Sequence, residues 1–367
     1  MKLDSLQYVR GVAAILVVFY HVTVYLDRMA GDSTLYEIFG GTPGILGVLA
    51  FFVVSGYLMA DISPKYKPAT FLIHRIIRIY PAYWFSVVFA GLFYAVLVIA
   101  SRPNADYIPA ITAMLFDERD PLALLRLTLS PIVFSDFPLG IEWTLLYETT
   151  FYVFIFTVSS LGGVRYLLHV SLVWLALLVT AALFFPVVHS GYTQPSLMMV
   201  LLFSINSAFI FGIVGRAVQN WIRPLYAFAL GTFLICLTVL YPHPHTMFQM
   251  CAGVACLVMG VIARERSSRL PRVPSLIRLG NWSYALYLTH MLIILGTLKL
   301  ISAPAWVLAV TAMVSAVAVS AVLGTLDVAG YKWLKRAADR SAGVHGVLAA
   351  SFVLVFLVAG VLGLRWK

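Results

Sequence analysis

Residues 3–25 read LDSLQYVRGVAAILVVFYHVTVY. The run from Val12 to Tyr25 is apolar almost throughout, and the stretch around it, 7–27, has the length of a membrane crossing, roughly 20 residues. Arg10 precedes the run and no small-residue cleavage site follows it, so it reads as a first span rather than a removable signal peptide. The same pattern recurs along the chain. Its 367 residues are 62% hydrophobic and only 11% charged, with a mean hydropathy of +0.95. Soluble domains carry about 25% charged residues, so a water-facing surface cannot be covered here. A soluble globular enzyme, a secreted disulfide scaffold and a disordered chain are all excluded. Aromatic residues at 14%, with 19 Tyr and 8 Trp, suit interfacial belts.

Eleven stretches qualify as crossings, at about 7–27, 44–62, 79–101, 142–162, 166–187, 196–215, 224–241, 246–263, 281–300, 304–326 and 344–364. The expected fold is therefore all-α, a polytopic helical membrane protein of ten to eleven transmembrane helices. With the N-terminus in the cytoplasm, 18 of the 25 Lys and Arg fall on the cytoplasmic side and 7 outside, the asymmetry that sets orientation. This also disposes of the net charge of +10 as a sign of nucleic-acid binding. Residues 1–340 read as one transmembrane domain and 341–367 as an additional C-terminal crossing, without which both ends lie inside. Two outer segments exceed plain turns: 28–43, and 102–141 with its acids and an amphipathic stretch at Leu122–Leu129. Cys236, Cys251 and Cys256 lie in apolar runs with no CxxC, so neither a disulfide framework nor a zinc site is expected. His74, His243 and His245 lack metal-ligand spacing, and no metal is expected.

Ionisable groups inside spans are costly and mark function first. Arg10 and His21 are eleven residues apart, about three turns, and so share one helix face about 16 Å apart along the axis. Singly they read as a snorkelling anchor and a packing histidine; their shared face points to a common pore. Glu148 enters from the outer side, about 9 Å past Glu142, and His290 lies about 14 Å past Asn281. His21, Glu148 and His290 are thus expected at similar depth, where a carboxylate beside an imidazole would make a general base. A structural polar cluster is the alternative. Ser283, Tyr287 and His290 share a stripe, so Ser283 and Tyr287 are candidate cavity residues. Ser55, in FFVVSGY, lacks a GxSxG elbow and is expected to line the pore, as is Trp143. In KYKPATFLIHRIIRIYPAYW, residues 65–84, Arg75 and Arg78 project together at i and i+3, followed by Tyr80 and Trp84 at the interface. Paired arginines with aromatics suit a phosphorylated nucleotide; a positive-inside anchor is the alternative.

Five blocks together resemble the acyltransferase-3 family of membrane-bound O-acyltransferases over about residues 3–335. The opening segment resembles its Arg-x10-His signature through Arg10 and His21. GVLAFFVVSGYLM (47–59), HRIIRIYPAYW (74–84), WTLLYETTFY (143–152) and LGNWSYALYLTH (279–290) resemble four further blocks in the family's order. The WTLLYE form is most similar to the exopolysaccharide-modifying, ExoZ-like subgroup. Two departures stand out: Glu142 where that subgroup has Gly, and Asp327-Val328-Ala329-Gly330 where an acidic residue followed by x-Pro is usual.

The resemblance implies a bacterial inner-membrane enzyme that moves an acyl group, usually acetyl, from cytoplasmic acyl-CoA to a glycan or lipid-linked saccharide hydroxyl outside. It implies His21 as the catalytic residue, Arg10 as its partner nearer the donor, Arg75 and Arg78 as holders of CoA phosphates, and Glu148 and His290 as further catalytic-site positions. Direct transfer and an acyl-histidine intermediate both fit. The partners expected are acyl-CoA, the saccharide acceptor and membrane lipid, with no nucleic acid. Two other readings are a transporter or flippase for a lipid-linked sugar, and an acyltransferase acting on a small-molecule acceptor. Against a carrier, the chain shows no inverted repeat.

Overall fold

The computed structural model describes residues 3–101, 127–130, 139–184, 197–242, 245–267 and 270–365. Most of the outer segment 102–141, including nearly all of Leu122–Leu129, lies outside the described residues, as does His243. Among the described residues the protein is helical with no strand. Its helices are α1 (Asp4–Tyr25), α2 (Thr34–Phe39), α3 (Thr42–Ile62), α4 (Pro68–Ser101), α5 (Glu142–Ser160), α6 (Leu167–Phe184), α7 (Leu197–Leu202), α8 (Ser207–Val218), α9 (Pro224–Leu240), α10 (Thr246–Arg266), α11 (Pro274–Leu300), α12 (Ala305–Arg340) and α13 (His345–Arg365). Among the described residues eight helical segments are long and apolar enough to cross a membrane, and Ser204–Val218 and Pro224–Leu240 are shorter apolar helices. It is an all-α polytopic membrane protein.

Local sequence explains the helix starts. Pro43, Pro224 and Pro274 occupy first-turn positions, where the missing N–H costs nothing. The start of α1 has no cap of its own. The Glu265 carboxylate at the end of α10 accepts from the Asp4 and Ser5 N–H groups at 2.8 and 2.9 Å instead. Outward faces are apolar, as on α12 with Val310, Val314, Val322 and Leu326 exposed, which water would penalise and lipid does not.

Hydropathy placed the third span at 79–101, with Arg75 and Arg78 in a cytoplasmic segment before it. The helix instead begins at Pro68, so both arginines ride inside α4 and turn into the bundle. Likewise α12 continues to Arg340, fourteen residues past the expected end at 326. In both cases charges that a lipid-facing span would exclude are housed between helices. The stretch 196–215 is not one helix: α7 stops at Leu202, and Asn206 Nδ2 donates to the Val200 carbonyl at 2.5 Å across the break before α8.

The site is positioned by two glycine contacts. Gly280 of α11 lies against the Gln7 backbone of α1, so closely that a Cβ there would collide with it. Gly212 of α8 meets Val53 of α3 in the same way, with Gly56 opposite. Small residues let backbones approach this closely. From the first contact α1 and α11 run parallel, so that residues 11 and 280, then 21 and 290, stand side by side.

Candidate active site

Ten residues beyond the Gly11–Gly280 contact, His21 and His290 meet: His21 Nδ1 is 3.1 Å from His290 Nε2. Their helices fix the protonation pattern. His290 Nδ1 lies 2.7 Å from the Tyr287 carbonyl and 3.1 Å from that of Leu286, and a carbonyl only accepts. In a neutral His290 the hydrogen therefore sits on Nδ1, and Nε2 is an acceptor. His21 Nδ1, 2.9 Å from the Val17 carbonyl, faces two acceptors and must be the donor. The unprotonated nitrogen of the pair is then His21 Nε2. The second ring thus selects the tautomer of the first. His290 is fully buried, while His21 is only partly so.

A cavity of about 110 Å³ lies nearer the amino end of α1, lined by Arg10, Ser55, Arg75, Arg78, Glu148 and Tyr152 among others. The Glu148 carboxylate accepts from Ser55 Oγ at 3.1 Å and from the Tyr152 hydroxyl. Arg78 is committed: its Nη1 is 2.8 Å from Asp327 Oδ2, and its guanidinium lies 4.8 Å and 5.4 Å from the ring centres of Tyr284 and Tyr331. Among the described residues Arg75 makes no ion pair. It lies 5.9 Å from the Tyr152 ring centre, and its buried Nε has no hydrogen-bond partner. Among the described residues Arg10 has neither ion pair nor hydrogen bond, and it faces Arg78 and Glu148 across the cavity. Three guanidinium groups against two carboxylates leave the region cationic, with two arginines free to meet an anion.

Between cavity and histidines stands Tyr287. Its ring lines the cavity, with centroid distances of 5.9 Å to His290 and 6.0 Å to Phe51. Its hydroxyl donates to the Ile141 carbonyl at 3.0 Å and lies 2.5 Å from Thr144 Oγ1. Ser283 also lines the cavity, its hydroxyl turned back to the Gly280 carbonyl at 2.8 Å.

The expected residues thus divide. His21 and His290 come together, but the partners of His21 are His290 and Val17 rather than Glu148, which sits with Ser55 and Tyr152 among the arginines. Tyr80 and Trp84 turn away from the cavity: the Tyr80 hydroxyl donates to the Thr128 carbonyl at 2.6 Å, and Trp84 Nε1 to that of Leu127 at 3.1 Å. Trp143 packs edge-on to Tyr147, 6.2 Å between centres, and is not part of the cavity wall. Tyr152 and Thr144 were missed because uncharged polar residues are common in spans. Asp327 was noticed only as a departure in a motif, since the span was ended one residue before it. Among the described residues no group of three or more His, Cys, Asp or Glu is placed to hold a metal ion.

A protein-family model described as an acyltransferase domain matches residues 3–325, nearly the whole chain. No curated protein and no solved structure matches it.

Proposed function

Because the chain belongs to the acyltransferase-3 family and is a membrane acyltransferase, we propose that it transfers an acetyl group from cytoplasmic acetyl-CoA to a carbohydrate hydroxyl on the outer face of a bacterial inner membrane. Exopolysaccharide or O-antigen is the acceptor class favoured by the WTLLYE block. The observation that carries the chemistry is the His21–His290 pair, which leaves His21 Nε2 as a base held in one tautomer.

In the proposed step the acceptor hydroxyl gives its proton to His21 Nε2. Its oxygen attacks the thioester carbonyl carbon, the carbon–sulfur bond breaks, and the CoA thiolate takes the proton from the imidazolium. A positioned general base within hydrogen-bond reach of a hydroxyl contributes about 10²–10⁴-fold. Arg10 and Arg75 serve as the anion site for the donor's diphosphate. From that diphosphate to sulfur the pantetheine arm is about twelve bonds, roughly 15 Å extended. Arg10 and His21 are about 16 Å apart along α1. The lengths match if the arm passes Tyr287. Arg78, already paired to Asp327, holds the wall rather than the ligand.

The test is free-CoA release from acetyl-CoA by purified wild type and His21→Ala, with and without a panel of glycans. The expected result is release that needs His21 and rises with one glycan. No release from folded wild-type protein under any condition would end the acetyl-CoA reading and favour a carrier or another donor.

A further inference from the structure

The inner cavity cannot hold all of an acyl-CoA. At about 110 Å³ it is well below the roughly 300 Å³ at which small-molecule sites begin. A second cavity of about 470 Å³ lies beside it, with Leu58 in both walls. It takes Leu6 and Gln7 of α1, with Leu3 just before it, where the inner cavity has Arg10; it takes Asp61 of α3, with Lys65 in the turn after it, where the inner cavity has Ser55. It is therefore one to two helical turns further toward the end of the bundle that receives the N-terminus of α1.

Its charges are distinctive. Lys65, Arg216 and Arg266 surround it with a single carboxylate, Asp61. Asp61 is shared by Lys65 at 2.5 Å and Arg216 at 2.8 Å, while Arg266 meets the Asn220 amide oxygen at 2.7 Å and the Tyr57 hydroxyl but no carboxylate among the described residues. The surplus is two positive charges, the complement of one phosphate monoester dianion. An unsatisfied acceptor is also present: Gln7 Oε1 is buried without a hydrogen-bond donor, next to a space large enough for a heterocycle. The exocyclic amine of adenine would supply such a donor.

From these observations we infer that the outer cavity is the seat of the donor's 3′-phosphorylated adenosine, with Lys65, Arg216 and Arg266 reading the 3′-phosphate. The inference rests on acyl-CoA being the donor. It divides the donor between two cation groups, the diphosphate at Arg10 and Arg75 and the nucleoside monophosphate one to two turns outward. The three phosphate-facing side chains of the outer group come from α8, α10 and the turn after α3, so no single sequence block announces them.

The experiment compares acetyl-CoA with 3′-dephospho-acetyl-CoA in binding to full-length protein in detergent, for wild type, Arg266→Ala, Lys65→Ala and the double variant. Both side chains are exposed, so truncation removes charge without opening the core. Wild type is expected to bind acetyl-CoA about tenfold or more tightly than the dephospho form, and the double variant to bind the two alike. A photoreactive adenosine 3′,5′-bisphosphate should label residues 57–65 or 216–220. Equal binding of both donors by wild type overturns the inference and leaves the acetyl-CoA reading standing. So does a double variant that keeps the discrimination, or labelling elsewhere. Failure of wild type to bind either donor overturns both.

Discussion

His21 donates its Nδ1 hydrogen between the Val17 carbonyl and His290 Nε2, and His290 in turn donates its own to the Tyr287 carbonyl. In the proposed reaction one imidazole takes the proton and the other holds that ring in place. His290 is accordingly a positioning residue. His290→Ala removes the acceptor that fixes the His21 ring, and the expected loss is about 10–100-fold in kcat with little change in donor KM. His290→Gln, whose side-chain oxygen accepts, should recover part of it. Steady-state CoA release with both variants checks this. A rise in donor KM at constant kcat would move His290 to the binding site.

Removing one partner of the Arg78–Asp327 pair should cost more than removing both. The two side chains are 17% and 10% exposed, so Asp327→Asn leaves a buried guanidinium without its anion. The expected loss is about 3–5 kcal/mol, read as a lower unfolding midpoint in detergent. Arg78→Met with Asp327→Leu should be milder. Equal midpoints for Asp327→Asn and wild type would deny the pair any role in stability.

Gly280 and Gly330 make a controlled comparison. A Cβ at 280 would strike the Gln7 backbone, whereas at 330 nothing lies within 4 Å. Gly280→Ala should push α1 from α11, destabilise by about 1–3 kcal/mol and lower activity through the histidine pair. Gly330→Ala should leave both unchanged. Thermal unfolding and CoA release of the two variants decide it.

Tyr287→Ala removes the ring between the inner cavity and His290. Water then gains access to the thioester beside His21, and CoA release in the absence of any glycan should rise several-fold relative to glycan-stimulated transfer. Tyr287→Phe keeps the ring and loses the bonds to Ile141 and Thr144, so it should weaken stability by about 1 kcal/mol without the leak. Identical acceptor-free release by wild type and Tyr287→Ala would refute the barrier.

The helices were legible because lipid imposes a length and a polarity that hydropathy reads directly. The histidine pair was half legible: eleven-residue spacing put His21 on the face of Arg10, but that α1 and α11 run parallel in contact is decided by Gly11 and Gly280, which look like ordinary glycines in sequence. Helix ends at charged segments were misplaced for one reason. A window that penalises charge cannot distinguish Arg75, Arg78 and Asp327 buried between helices from the same residues in water. Tyr80 and Trp84 resembled an interfacial donor site, yet they secure α4 to residues 127–128, a contact between positions more than forty apart. Glu148 reads in sequence as an intramembrane acid beside the histidines, but the residues on its own and neighbouring helices, Tyr152 and Ser55, claim it before any histidine does.

The ring of Tyr287 also bears on the cell that carries this protein. A bundle open from one aqueous phase to the other would let ions run down their gradient whenever the enzyme stood idle. An aromatic wall stands between the arginine cavity and the histidines, and in the proposed reaction the slender arm of the donor displaces it and fills the opening it makes. On that proposal, covalent chemistry is handed from one compartment to the next while the bioenergetic seal stays shut.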